Sequence, residues 1–442
     1  MARRVGRVGL APACAGSTVT LAGSPPNLSA TLAIHEEVRR RARAGENVLH
    51  LGFGEAGLPV HPLLREALIA GSGDGGYDPV AGDVTLRRNI ADFYGRRGLE
   101  TDASQIVVGP GSKALLFALM LALEGDLVLP KPAWVSYAAQ AAFARKALIR
   151  VPILAEAGGI PNPDYLEEAV TRARSRGLNP RFLLINQPDN PTGTLASRDV
   201  LVRTLEVARS CGLFVVSDEI YRDLVHGERA FVSAAEIDDA NCVVTGGLSK
   251  SLALGGWRIG TLRVPSTPAG HDLGQRVCAI ASEIWSCIAA PIARAARLAY
   301  AEPTEIVAHV RASCDLHAQV AKAMFAAVEE AEADCRQPTA AFYLYPDVSR
   351  FRDRLARRGI DTSHSLAHVL LGEFGIAVLP GAAFGDDPDA LRFRIATGLL
   401  YGADDDARWE ALRAASVREA GQLPAVLDAA SRLRSALESV LA

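Results

Sequence analysis

The sequence has little of what marks membrane, secreted or nucleic-acid-binding proteins. No segment approaches the roughly 20 consecutive apolar residues of a membrane span. Its 47 Lys and Arg residues nearly balance its 50 Asp and Glu residues, so neither nucleic acid nor a membrane surface is expected as a partner. No CxxC pair occurs, which argues against a disulfide framework and against zinc or another metal. We expect the protein to be cytoplasmic and its scattered cysteines to be mostly buried thiols. These are Cys14, Cys211, Cys242, Cys278, Cys287, Cys314 and Cys335.

The first 28 residues predict a disordered tail rather than a targeting segment. Basic residues open the chain, as in a signal peptide, but Arg7 interrupts any apolar run and glycines dilute it. The chain as a whole has 442 residues, of which 49% are hydrophobic and 22% charged. That composition can bury a large core divided between two lobes.

The middle of the chain alternates short β-branched runs with Ala- and Leu-rich amphipathic runs, which is typical of βα units. Helices are expected at 113–123 and 197–212. Strands are expected at 105–109, 126–130, 147–153, 181–186, 213–218, 241–246 and 258–264. After residue 300 long helices dominate, with one extended patch at 340–348.

These patterns predict an α/β fold with a mainly parallel sheet in a large domain and a smaller α/β domain. The predicted division is a tail (1–28), the N-terminal part of the small domain (29–60), the large domain (61–300) and the C-terminal small domain (301–442).

Lys250 is the most informative residue in the chain. It lies in GGLSKSLALGGWRIG, after NQPDNPTG (186–193) and SDEIY (217–221). A lysine at the mouth of an α/β sheet, with an asparagine, an aspartate, a tyrosine and a downstream arginine, can hold pyridoxal phosphate as a Schiff base. Taken alone, a lysine here is more often a solvated surface residue.

Asp218 ends the apolar run LFVVSD, where a carboxylate is costly to bury without a cationic partner. A helix N-cap is the alternative, since Asp is a common cap. We favour a catalytic position because one further strand separates Asp218 from Lys250, which brings both to one sheet edge.

From Ser29 to about Ala415 the chain resembles the class I and II aminotransferases, the aspartate aminotransferase family of fold type I pyridoxal phosphate enzymes. The resemblance rests on ordered motifs that include GYDPVAGDVTLR, GPGSKALLFAL, PKPAWVSY, NQPDNPTG, SDEIY, SKSLALGGWRIG, AAFYLYPDV, VLPGAAFG and RFRIATG. Any one could be chance, but their order and spacing make coincidence untenable. The resemblance implies a homodimer with active sites at the interface.

The resemblance also implies roles around the cofactor ring. Lys250 would form the Schiff base and later move protons at the substrate α-carbon. Asp218 would pair with the pyridine nitrogen, while Asn190 and Tyr221 would hydrogen-bond the phenolic oxygen. Trp134 would stack on the ring; without the alignment it reads as a core aromatic.

For the cofactor phosphate, the resemblance implies a divided site. Gly111, Ser112 and Lys113 open a predicted helix, whose N-terminus favours anions. Arg258 matches the family's phosphate arginine, and Tyr77 the tyrosine that reaches the phosphate across the dimer interface. Gly247 is a departure, because many relatives place a phosphate-binding hydroxyl there.

For the substrate, Arg394 matches the arginine that grips the α-carboxylate, and Gly54 would approach the same group with its backbone. Strand alternation places Arg392 on the same side as Arg394, so only the alignment separates them. Asn190 and Trp134 would also contact the substrate. Glu283 and Trp285 lie in an atypical segment that either shapes the pocket or belongs to the subunit interface.

Three functions are consistent with these residues. The first is an aminotransferase acting on an amino acid and a 2-oxo acid. The second is a biosynthetic enzyme that diverts the chemistry to elimination, replacement, cyclisation or oxidation, on an amino acid such as S-adenosylmethionine or arginine. The third is an effector-binding domain of a DNA-binding regulator, for which the 28 residues before Ser29 are too few. We rank transamination first, because no additional acid for expelling a leaving group is identifiable.

Overall fold

The computed structural model describes residues 28–154 and 156–442. Cys14 and the predicted tail lie outside these residues, apart from Leu28. None of the helices in the described ranges is both long and apolar enough to cross a membrane. The strands are β1 (Leu49–His50), β2 (Ile106–Gly109), β3 (Asp126–Lys131), β4 (Leu148–Pro152), β5 (Pro180–Asn186), β6 (Phe214–Asp218), β7 (Cys242–Gly247), β8 (Gly260–Arg263), β9 (Tyr343–Leu344), β10 (Ile376–Ala377), β11 (Leu379–Pro380) and β12 (Phe393–Ala396).

The α-helices of the described residues lie before, between and after these strands. They are α1 (Ala30–Arg43), α2 (Pro62–Ala70), α3 (Val84–Gly95), α4 (Ser112–Ala122), α5 (Val135–Phe143), α6 (Pro163–Ser175), α7 (Arg198–Ser210), α8 (Ala234–Ile237), α9 (Pro268–Ile284), α10 (Ala290–Ala301), α11 (Thr304–Glu330), α12 (Arg352–Arg357), α13 (Ser363–Phe374), α14 (Asp405–Ser416) and α15 (Pro424–Leu441).

The large sheet has seven strands in the order β2-β8-β7-β6-β5-β3-β4. β8 runs antiparallel to both of its neighbours, and the remaining pairs are parallel. The α/β fold with a mainly parallel sheet is therefore confirmed. Successive residues of the central strands pack into different core clusters, as Val215 and Val216 do, so helices cover both faces of the sheet.

A separate core cluster lies in the C-terminal part of the chain and includes Leu49 and Leu51. β1 pairs with β10, and β9, β11 and β12 form a small antiparallel sheet. The N-terminal segment thus packs with the C-terminal one; the exact domain limits stay a prediction. α11 contributes Ile306 to the large-sheet core and Leu316 to the C-terminal core.

Parallel strands bring the site residues together. In the sheet register Asn186 of β5 lies beside Asp218 of β6, which lies beside Thr245 of β7. All three are at or near the carboxyl ends of their strands, and Lys250 follows just after β7. Ligands of open α/β sheets bind at this edge.

Candidate active site

A cavity of about 490 Å³ opens at the carboxyl edge of the large sheet. Its walls come from the strand ends, from the start of α4, from the residues before and in α1, and from β12. Ten of the predicted site residues line it: Gly54, Ser112, Lys113, Trp134, Asn190, Asp218, Tyr221, Lys250, Arg258 and Arg394. Gly111 and Tyr77 are not among the lining residues.

The Lys250 amine lies inside this cavity. Its Nζ donates to the carbonyl oxygen of Gly54 at 2.5 Å. Desolvation lowers the pKa of Lys250 to about 8, and the cations Arg394, Lys113 and Arg258 act in the same direction, against Glu55. An amine with this pKa is partly unprotonated near neutral pH and can act as a nucleophile or a base.

Asp218 lies on the cavity floor with 2% exposure. Tyr137 donates its hydroxyl to Oδ2 at 2.7 Å, and Thr245 donates to Oδ1 at 3.1 Å. Burial raises the pKa of Asp218 to about 6, partly offset by these hydrogen bonds. The residues after Asp218 form a turn, so the helix-cap interpretation is not supported. A buried carboxylate held by two hydroxyls is suited to a cationic ligand group.

Asn190 and Tyr221 face each other beside Lys250. Asn190 Nδ2 donates to the Tyr221 hydroxyl at 3.4 Å, and the backbone N–H of Asn190 donates to Asn186 Oδ1 at 2.9 Å. The turn of the Asn-Pro-Thr-Gly segment is thereby tied to the end of β5. Burial raises the pKa of Tyr221 well above its usual value, so its hydroxyl stays protonated and can donate.

A cationic site lies at the N-terminus of α4. Gly111 precedes the helix with φ 89°, and a Cβ there would collide with the guanidinium of Arg258. Gly111 therefore belongs to the site by allowing this close approach, although it does not line the cavity. Burial lowers the pKa of Lys113, and the nearby Arg258 lowers it further. Two cations, a serine hydroxyl and a helix N-terminus together suit a phosphate dianion.

Trp134 forms one wall of the cavity at the start of α5. Its ring meets the ring of Tyr137 edge to face, with centroids 5.1 Å apart. Lys113 Nζ lies 5.0 Å from the Trp134 ring centroid. The contact with Tyr137 links the aromatic wall to the hydroxyl that holds Asp218.

The structure separates the two arginines that strand alternation could not. Arg394 is fully buried and donates to Asn190 Oδ1 at 3.1 Å and to the Gly52 carbonyl at 2.7 Å. Within the described residues its Nε has no hydrogen-bond partner, which leaves a donor for a ligand carboxylate. Arg392 instead pairs with Asp347 at 2.7 Å and Asp386 at 3.0 Å, outside the cavity.

Several predicted residues lie away from the cavity of this chain. Tyr77 is 90% exposed. Glu283 is exposed and accepts from Ser282, while Trp285 packs against the core cluster that includes Val277. At Gly247 a Cβ would collide with the carbonyl oxygen of Ile259, so a residue with a hydroxyl side chain would require a backbone shift.

Sequence reasoning missed several residues that contact these groups. Tyr137 lies one helical turn after Trp134, a spacing that could have indicated it. Thr245 lies opposite Asp218 only because of the strand register. Tyr343, whose hydroxyl is 2.7 Å from that of Tyr221, reaches the site from the small sheet.

Comparison with known proteins identifies the family of this chain. Residues 46–399 match the family described as aminotransferase class I and II. The chain belongs to the class I and II aminotransferases. The aspartate aminotransferase of Geobacillus stearothermophilus is 32% identical over 84% of this chain and 92% of its own length. The aspartate/prephenate aminotransferase of Cereibacter sphaeroides is 31% identical over 89% and 96%.

Solved structures agree with the sequence comparison. The aspartate aminotransferase of Thermus thermophilus, determined with maleate, has a TM-score of 0.75 and 26% identity, covering 90% of this chain and 97% of its own. The aminotransferase described here is therefore a pyridoxal 5'-phosphate-dependent enzyme that acts on an amino acid and a 2-oxo acid. Diverted chemistry, the alternative from the sequence, is not favoured by these relatives.

The cavity fits the cofactor of this family. It offers an amine of lowered pKa, a buried carboxylate, a cationic site at a helix N-terminus and a guanidinium with a free donor. Each of these groups is contributed by a residue that the sequence resemblance indicated. The roles of the individual residues are taken up as proposals below.

Proposed function

We propose that Lys250 holds pyridoxal 5'-phosphate covalently and transfers the proton between the substrate α-carbon and the cofactor. The observation that carries this proposal is the convergence of the Lys250 amine and the Asp218 carboxylate on one cavity, with the amine's pKa near 8. When bound, the cofactor supplies an electron sink for the electrons left at the α-carbon. Asp218 keeps its ring nitrogen protonated, and the carboxylate is oriented for this by Tyr137 and Thr245.

In the same proposal, the remaining predicted residues bind and orient. Asn190 and Tyr221 donate to the phenolic oxygen, and Trp134 stacks on the ring. Arg394 binds the substrate α-carboxylate through its free Nε and adjacent nitrogen, and the backbone of Gly54 lines that end of the cavity. The phosphate is bound by four residues around the start of α4: Gly111, Ser112, Lys113 and Arg258.

Borohydride reduction of the purified holoenzyme, followed by peptide mass spectrometry, tests the covalent attachment. The adduct is expected on the peptide that contains Lys250. An adduct on another lysine, or none in protein saturated with cofactor, contradicts the proposal. The fate of the amino group is tested by offering amino acids without an oxo-acid acceptor: one oxo acid per site with the cofactor left in its amine form supports transamination, while repeated turnover contradicts it.

We further propose that aspartate is one of the amino donors. The relatives from Geobacillus stearothermophilus and Cereibacter sphaeroides carry aspartate in their names, and Lys113 adds a cation to the cavity wall. Single-turnover rates with aspartate, glutamate, leucine, phenylalanine and arginine test this. Aspartate is expected among the fastest; a rate for aspartate below that for leucine would exclude it as a natural donor.

We also propose a cytoplasmic homodimer in which Tyr77 reaches the partner's phosphate site. A 90% exposed tyrosine outside its own cavity supports this, together with a flanking loop whose Asp74 and Asp78 are paired with Arg294. Mixing inactive Lys250→Ala protein with an impaired Tyr77→Ala variant is expected to restore activity through hybrid dimers. A fully active monomer in sedimentation would contradict the shared site.

A further inference from the structure

Tyr343 is a fully buried residue that the roles proposed above do not use. It lies in β9, and its hydroxyl oxygen is 2.7 Å from that of Tyr221. The two rings pack edge to face, with centroids 5.6 Å apart and an interplanar angle of 85°. Ring packing therefore fixes the position of the hydroxyl contact.

The ring of Tyr343 also supports the buried arginine of the cavity. The guanidinium carbon of Arg394 lies 4.9 Å from the Tyr343 ring centroid. Arg394 donates to Asn190 at 3.1 Å, and Asn190 donates to Tyr221 at 3.4 Å. These contacts close a circuit of four side chains. Like Asn190, Tyr343 touches both the proposed carboxylate-binding residue, Arg394, and the proposed cofactor-binding residue Tyr221.

Gly54 provides the space for this arrangement. A Cβ at position 54 would lie 2.5 Å from the Tyr343 hydroxyl and 3.1 Å from its Cε1. The carbonyl oxygen of Gly54 meanwhile accepts the hydrogen bond from Lys250. The absence of a side chain at Gly54 thus lets Tyr343 approach the residues around the amine.

We propose that Tyr343 is a positioning residue, whose hydroxyl donates to Tyr221 and whose ring holds the guanidinium of Arg394. The inference rests on the role proposed for Tyr221 at the phenolic oxygen of the cofactor. A tyrosine that donates its proton can still accept a hydrogen bond on its own oxygen. Accepting from Tyr343 makes Tyr221 a stronger donor, because linked hydrogen bonds polarise one another. The phenolic oxygen is then better stabilised in its negatively charged form.

Tyr343→Phe separates the hydroxyl from the ring. The charged groups that affect the pKa of Tyr343 are Arg394 and Asp189. The Lys250 amine lies 5.9 Å from the ring centroid of Tyr221. All of them remain in the variant. In a pH titration of the absorbance of the bound cofactor, the midpoint is expected to rise by about 0.5–1 pH unit, the effect of one hydrogen bond. The KM for the amino acid is expected to stay within about two-fold, because the ring still supports Arg394.

Two further variants accompany Tyr343→Phe: one tests the ring of Tyr343, and the other is a control. Tyr343→Leu also removes the ring, so it is expected to raise the KM by about 5–30-fold, the scale of a desolvated cation–π contact. Tyr345→Phe is the matched control: it removes another buried tyrosine hydroxyl, which lies 3.2 Å from Asp386 outside the cavity. It is expected to change neither the midpoint nor the KM.

The outcomes distinguish this inference from the proposed function. An unchanged midpoint in Tyr343→Phe, with a shifted one in Tyr221→Phe, would overturn the role of Tyr343 alone. Unchanged midpoints in both would remove the proposed role of Tyr221 and this inference with it. In the double variant no shift beyond that of Tyr221→Phe is expected. If Tyr343→Phe does not accumulate as folded protein, Gly54→Ala serves instead: its Cβ displaces the hydroxyl, and the midpoint is expected to rise.

Discussion

The floor and the outer side of the site are built in different ways. The floor consists of Asp218, Thr245 and Lys250 near the ends of two neighbouring strands, with hydrogen bonds inside one chain. The term outer side is used here for Tyr77 and Glu283, two predicted residues that lie outside the cavity and are exposed in the single chain. The floor is complete in one chain because the strand register defines it. On the outer side, Tyr77 is expected to act only when a second chain is present, as proposed above.

The largest expected effect falls on the floor. Lys250→Ala removes both the proposed covalent attachment and the proton-transfer group, so kcat is expected to fall by at least about 10²–10⁴-fold, the usual contribution of positioned acid–base catalysis. Stopped-flow assays with added cofactor measure this. Lys322→Ala, a lysine outside the cavity, is the control. Near-normal turnover by Lys250→Ala would show that the floor is not the chemical centre.

Asp218→Asn is expected to lower kcat by about 10²–10³-fold, the scale of removing one preorganised electrostatic group. The same change is expected to stabilise the apoprotein. Burial raises the pKa of Asp218 from 3.8 to about 6. Above pH 6 the buried charge therefore lowers the free energy of unfolding. Below pH 3.8 the carboxyl is neutral in both the folded and the unfolded state, so this penalty is absent. The gain on substitution is therefore on the order of 1–3 kcal/mol at pH 8 and smaller at pH 5. Urea unfolding of the apoprotein at both pH values measures it; equal gains would contradict the shift.

Arg394 and Arg392 lie two residues apart, but only Arg394 lines the cavity, so the two can be compared directly. Arg394→Lys keeps the charge but loses the bidentate geometry, so the KM for the amino acid is expected to rise about 10–100-fold, as for a charge-assisted hydrogen bond. Arg392→Lys weakens partly exposed ion pairs outside the cavity and is expected to change the KM by less than about five-fold. Steady-state kinetics on both variants decide the assignment. A larger effect at Arg392 would reverse it.

The smallest effect is expected on the outer side. Glu283→Gln removes a charge from an exposed position, so kcat/KM is expected to stay within about two-fold for every amino acid tested. A panel of acidic, basic and apolar substrates measures this. A change in preference among them would mean that Glu283 shapes a pocket, and that the outer side contributes to specificity.

The sequence predicted some of the site residues and missed others. Motifs located Lys250, Asp218 and Arg258, because each chemical role requires one residue type at a strand end or turn. Strand alternation could not separate Arg392 from Arg394, because it predicts which side of the strand a residue faces and not how deeply it is buried; only the motif alignment favoured Arg394. Thr245 and Tyr343 also escaped prediction, since their contacts depend on strand register and on packing between distant segments.

Helix α11 contributes residues to both of the large core clusters. It runs unbroken from Thr304 to Glu330, about 40 Å at the rise of an α-helix. Ile306 near its start belongs to one core, while Leu316 and Met324 belong to the other. Melting this helix would therefore remove apolar contacts from both cores at once. We therefore expect the two core clusters to unfold together, because they share this helix.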